Sequence, residues 1–154
     1  MTRRLALLLA LLAATPALAQ EPDGLVTEPS AHPVRETLDR LAAAVRAAGW
    51  TVFTEIDHAA AAQAVGMPLR PRTVLFFGTP RGGTPAMQAH PTLALDLPMR
   101  ILVWEDEAGR NFLTRSTGED IARRVFARHG VAMPPEAQRS MEAMLAGLAR
   151  QATE

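Results

Sequence analysis

The sequence predicts an α+β fold with a mostly antiparallel sheet covered by helices on one face. An amphipathic repeat over Val34 to Ala48 precedes a set of strand-like segments between Trp50 and Arg115, interrupted only by short helices, and longer helical repeats return after them. Segregation of helices from strands favours α+β over an alternating α/β layout. Met99–Glu105 and Asn111–Arg115, separated by the polar Asp106 to Gly109, form the clearest hairpin.

In chain order, Leu25 to Thr27 is expected to be a short edge strand. Ser30 and Pro33 mark a helix entrance, because serine can cap free amides and proline tolerates the first turn. Val34, Leu38, Leu41, Val45 and Ala48 then fall on one helical face, with Arg35, Glu36, Asp39, Arg40 and Arg46 on the remainder. Gly49 ends the helix. Trp50 to Ile56 reads as a strand, and Asp57 caps a short helix over His58 to Val65. Thr73 to Phe77 is apolar enough to suggest a strand buried on both faces. Gly78 to Gly83 reads as a loop, with a helix reopening at Thr84-Pro85 and a connector over Pro91 to Pro98. After the hairpin, Thr117 caps a helix with Glu119 and Asp120 at its positive end and Gly130 at its close. Pro135 to Ala149 forms a final helix with Ala137, Met141, Met144, Leu145 and Leu148 on one side.

The amino-terminal residues point to export. Arg3 and Arg4, the apolar run Leu5 to Ala14 and the small-residue exit Ala17-Leu18-Ala19 are the three parts of a secretory signal peptide. Residues 1–19 are expected to be removed, leaving one domain over 20–154 in the periplasm or outside the cell. The apolar run falls short of the ~20 residues of a membrane-spanning helix, so no stable membrane anchor is expected after cleavage. The 154-residue chain has 16 basic and 16 acidic residues, and loss of Arg3 and Arg4 tips the balance slightly acidic, which argues against nucleic acid. Cysteine, lysine and tyrosine are absent. Thiol nucleophiles, cysteine-held zinc, covalent c-type haem and lysine Schiff bases are thereby excluded.

Several stretches resemble the domain of unknown function 302 family. They are Ser30-Ala31-His32, Glu36-Thr37, Arg40-Leu41, Gly49, Val52-Phe53, Ile56-Asp57-His58, Leu69 to Thr73, Phe77 to Pro80, Gly83 to Met87 and Leu95 to Arg100. The resemblance runs from about residue 25 to about 129. It implies a TATA-binding-protein-like β-α-β(4)-α arrangement, often paired as a homodimer, with no established reaction. The helix at 135–149 stands as an addition beyond it. The chain departs from the family pattern at Thr79, where asparagine is usual, and across Thr114 to Gly118.

Two clusters could carry chemistry. Thr79, Arg81, Gly82, Gly83 and Thr84 combine free amides, a guanidinium and a helix start, which suits an anion, although such loops are ordinarily connections. Asp57 and His58 could act as an acid–base pair or metal ligands, although a helix cap is the plainer account. Methionine and histidine together would suit monovalent copper, whereas Met141 and Met144 also fit a core. Asp96, set among leucines, needs a partner such as Arg100. Glu105 to Glu107 is assigned no chemistry.

The resulting expectation is a small exported binding or accessory protein, not an enzyme, holding a small anion or a metal or haem cargo in a cleft between His58 and the Gly78 to Thr84 loop. No cofactor is identified. A hydrolase centred on Asp57 and His58 is the alternative, as is a dimeric structural or interaction module using Met141, Leu145 and Leu148.

Overall fold

A computed structural model describes residues 24–154. The expected signal peptide lies outside the described residues. Strand β1 (Leu25–Ser30) leads into helix α1 (Val34–Ala47), followed by β2 (Thr51–Asp57), α2 (His58–Ala64) and β3 (Arg72–Gly78). Helix α3 (Pro80–Ala89), a 3-10 turn over Pro91–Leu95, and the hairpin β4 (Met99–Glu105) and β5 (Asn111–Ser116) come next. A short turn, α4 (Gly118–Asp120), runs into a π-helical segment over Ile121–Phe126 and a 3-10 turn over Ala127–His129, and α5 (Pro135–Thr153) closes the chain. The strands lie in the order β1-β5-β4-β3-β2, all antiparallel, so the fold is α+β as the sequence predicts.

Strand alternation decides where the core sits, since neighbouring residues point to opposite faces. Leu75, Phe77, Ile101, Val103 and Leu113 are buried on one face beneath α1 and α5. Leu38, Leu41 and Val45 of α1 and Leu145, Leu148 and Ala149 of α5 fill that layer. Truncation of one of these leucines to alanine is expected to cost about 2–5 kcal/mol through lost transfer energy and the cavity left behind. The opposite face carries the alternate residues Val74, Phe76, Leu102, Trp104 and Phe112, which are half-buried.

Several expectations need correction. β3 is buried on one face only, because among the described residues no second layer of long helices packs on the other. β1 extends to Ser30, with Pro29 tolerated because β1 is a sheet edge. Ser30 does not cap α1; its hydroxyl pairs with that of Thr37 at 2.7 Å, and Pro33 is the residue at the cap. Ala48 lies outside α1 and is exposed. Gly78 to Gly83 is not a loop: α3 begins at Pro80, whose fixed φ suits the first helical position, and Thr84-Pro85 lies inside it. α5 runs to Thr153 and is part of the core, so Leu145 and Leu148 cannot serve as an external docking face.

Candidate functional site

An apolar cavity of about 400 Å³ opens at the end of the sheet where β3 passes into α3. Trp50 enters from the approach to β2 and Phe53 from a bulge within that strand. Gly78 ends β3 there, and a β-carbon on it would stand 3.4 Å from the Phe53 ring and 3.7 Å from Pro98. The opposite side comes from Leu97 and Pro98, joined by a cis peptide, with Met99 at the start of β4. Phe126 and Met141 close the cavity from the π-helical segment and α5, and Met87 lies on α3. Among the described residues no charged side chain lines the cavity, and of the lining residues Trp50 with its indole N–H and Thr79 with its hydroxyl carry the polar side-chain groups.

Thr79 precedes α3 in the capping position, yet its side chain makes no capping hydrogen bond. The amides of Gly82 and Gly83 donate instead to the Thr79 carbonyl oxygen at 3.1 and 2.9 Å. Those amides are therefore engaged, which removes the basis for the expected anion cradle. Arg81 and Thr84 are exposed and do not line this cavity.

Asp57 and His58 sit at the other end of β2. Gly78 pairs with Thr51 and Asp57 with Thr73, a separation of six residue steps, or about 20 Å along a strand. The expected cleft joining His58 to the Gly78 to Thr84 segment is therefore not formed. The Asp57 carboxylate caps α2 by accepting from the Ala60 amide at 3.0 Å, while His58 is exposed. Asp57 borders a wider, polar depression of about 780 Å³ with Gln63, Arg70, Arg72 and Glu107. Arg70 is already paired there with Glu105 at 2.7 Å and Glu107 at 3.3 Å, and those hydrogen bonds hold its guanidinium more firmly protonated than usual. Among the described residues no three histidine, aspartate or glutamate side chains gather as a metal site. Three methionines, Met87, Met99 and Met141, do share the apolar wall.

Asp96 finds its partners 33 residues away. His129 Nε2 lies 2.6 Å from Asp96 Oδ2, and Arg128 donates to the same carboxylate at 3.2 Å. The other ring nitrogen meets the Thr92 hydroxyl at 2.9 Å. With Nε2 donating to Asp96, a neutral ring accepts from Thr92 at Nδ1. The His129 bond, and then the Arg128 charge, hold the Asp96 carboxyl below the usual carboxylate range. This clasp joins the Pro91–Leu95 turn to the segment after Phe126, so it fastens two walls of the cavity, at Leu97-Pro98 and at Phe126.

The profile of the family described as "Domain of unknown function DUF302" matches residues 26–148 and thus takes in most of α5. The crystal structure of an uncharacterised conserved DUF302 protein from Bacillus stearothermophilus superposes with a TM-score of 0.68 at 15% identity, covering 85% of this chain and 99% of that one. That likeness extends the shared fold to nearly the whole solved protein. Curated relatives are proteins named fluoride-specific ion channel FluC 1, from Brucella suis and Brucella abortus. Each is 45% identical over 101 residues, or 66% of this chain. The match spans only 40% and 37% of their respective lengths. No helix among the described residues is long and apolar enough to cross a membrane.

Proposed function

The chain belongs to the DUF302 family, in which no reaction is established, and from that premise we propose that it is a small exported binding or accessory protein whose ligand site is the apolar cavity beside α3. The observation that carries this reading is the wall itself: three aromatic rings and three thioethers, without a charged side chain, around about 400 Å³. Small-molecule sites are commonly concave, mostly apolar and of about 300–1,000 Å³, with a few polar groups that orient the ligand. The small anion of the sequence expectation is replaced by an uncharged, largely apolar ligand, because an anion there would lose its hydration without a counter-charge.

The Brucella relatives support the accessory part. At 45% identity their matched segment shares this fold, and more than half of each protein, named as an ion channel, lies outside the match. The pattern of Arg3-Arg4, Leu5 to Ala14 and Ala17 to Ala19 supports export to the periplasm or beyond. The half-buried apolar sheet face supports a homodimer.

The test uses Trp50, which lines the cavity; Trp104 stacks on Phe112 on the opposite sheet face and is replaced by phenylalanine to leave one reporter. Titration with neutral N-phenyl-1-naphthylamine is expected to give saturable energy transfer from Trp50. Gly83→Leu should abolish it while the protein stays folded, because a β-carbon at Gly83 meets only Met87 and Leu97 at 3.7 and 3.8 Å and a longer side chain would fill the cavity. Absence of saturation, or equal binding by Gly83→Leu, overturns the proposal.

A second reading has its own observation. Met87, Met99 and Met141 all line the cavity, and thioethers favour monovalent copper. Competition with bicinchoninate tests it, and retention of affinity in a triple methionine-to-leucine variant overturns it.

A further inference from the structure

We infer that the cavity selects a neutral aromatic ring system bearing one hydrogen-bonding substituent, which the Thr79 hydroxyl engages; this rests on the reading of the cavity as a binding site. The ring preference follows from the wall. Trp50, Phe53 and Phe126 offer faces and edges, and Met87, Met99 and Met141 are polarisable partners for further rings. Sulfur–aromatic and aromatic–aromatic contacts add attraction beyond area burial, which an alkyl chain would not gain.

The substituent follows from Thr79. A threonine before a helix ordinarily accepts a hydrogen bond from an amide of the first turn. Here the amides of Gly82 and Gly83 are taken by the Thr79 carbonyl, and no capping bond reaches the side chain. The methyl group of Thr79 is the atom nearest to a β-carbon built at Gly82, at 3.1 Å. Among the described residues the hydroxyl makes no capping bond, and the other polar side-chain group of the lining is the Trp50 indole N–H. A ligand hydroxyl or ring nitrogen would pair with the Thr79 hydroxyl, and a purely hydrocarbon ring would leave it unsatisfied, the kind of mismatch that gives polar specificity inside apolar pockets.

Three probes separate the possibilities on the full chain carrying Trp104→Phe: 2-naphthol, naphthalene and 1-decanol, each titrated by Trp50 fluorescence. The expected order is 2-naphthol tightest, by roughly tenfold over naphthalene, the equivalent of one well-made hydrogen bond. Thr79→Val should collapse that difference, by weakening 2-naphthol and sparing naphthalene an unsatisfied hydroxyl, and Thr79→Ser should restore it. A 2-naphthol to naphthalene ratio that is the same in Thr79→Val overturns the assignment to Thr79. Decanol binding as tightly as 2-naphthol overturns the aromatic preference while leaving the cavity as a binding site. Failure of all three to saturate overturns both readings together.

Discussion

Arg115 is only 4% exposed on the covered face of β5, a position that strand alternation alone would give to an apolar residue. Its guanidinium meets Glu142 of α5 at 2.9 Å and Glu28 of β1 at 3.7 Å, while Nε is buried without a partner among the described residues. Glu142 and Glu28 keep access to water, so removing the guanidinium strands no buried charge; the chief cost is the space left under α5, and a well-packed apolar replacement is often tolerated. Arg115→Ala is thus expected to destabilise by about 3 kcal/mol and Arg115→Met by clearly less, measured by urea unfolding. A methionine variant as unstable as alanine would refute that ordering. Gly118, two residues past the end of β5, is a second tight point. A β-carbon there would stand 2.9 Å from the Glu142 backbone nitrogen and would collide with the Gln138 carbonyl oxygen, and the Gly118 amide donates to the Glu142 carboxylate at 2.8 Å. Gly118→Ala should push α5 off the sheet and cost about 1–3 kcal/mol as an overpacking change, seen as a lowered Tm. Capping by Asp57 and Thr117 was legible in the sequence because the donor lies three residues on. The partners of Arg115 were not, because they are side chains of two distant elements.

Elements built on apolar periodicity, such as α1 and the β4–β5 hairpin, were readable since their period is local. α3 was not: Gly82, Gly83, Pro80 and Pro85 are residues of turns, and their helical state depends on what Ala86 and Met87 pack against. The cavity was equally hidden, since Trp50, Met87, Pro98, Phe126 and Met141 come from separate stretches and none has a spacing that marks it. Asp96 was rightly singled out as needing a partner, but His129 and Arg128 supply it more closely than Arg100. The clasp gives a pH prediction. Because the native carboxyl titrates below its unfolded value, the stability it contributes is fully present above the ordinary carboxylate range and is lost as pH falls through the lowered native value. The Tm difference between the native sequence and Asp96→Asn should therefore be constant near neutrality and shrink in acid. A difference independent of pH down to acid unfolding would remove Asp96 from that role.

On the scale of the whole molecule, the five-stranded sheet has helices on one side and Ile56, Val74, Phe76, Leu102, Trp104 and Phe112 on the other. Contiguous apolar surface of this kind marks an interaction face. Sedimentation equilibrium is expected to show a homodimer, and Phe76→Asp, on that face and away from the helices, should return it to monomer without unfolding. A monomer at all concentrations would reject the pairing. The sequence implied a dimer only through family resemblance, and the face it suggested, on α5, is spent inside the core. That internal use of α5 ties distant parts of the fold to one another. Leu145, Leu148, Ala149 and Ala152 roof the sheet, and the Ala31 amide bonds to the carbonyl oxygen of Thr153, so unwinding the last turns of α5 would uncover the sheet beside β1 and loosen the entry to α1 in the same event.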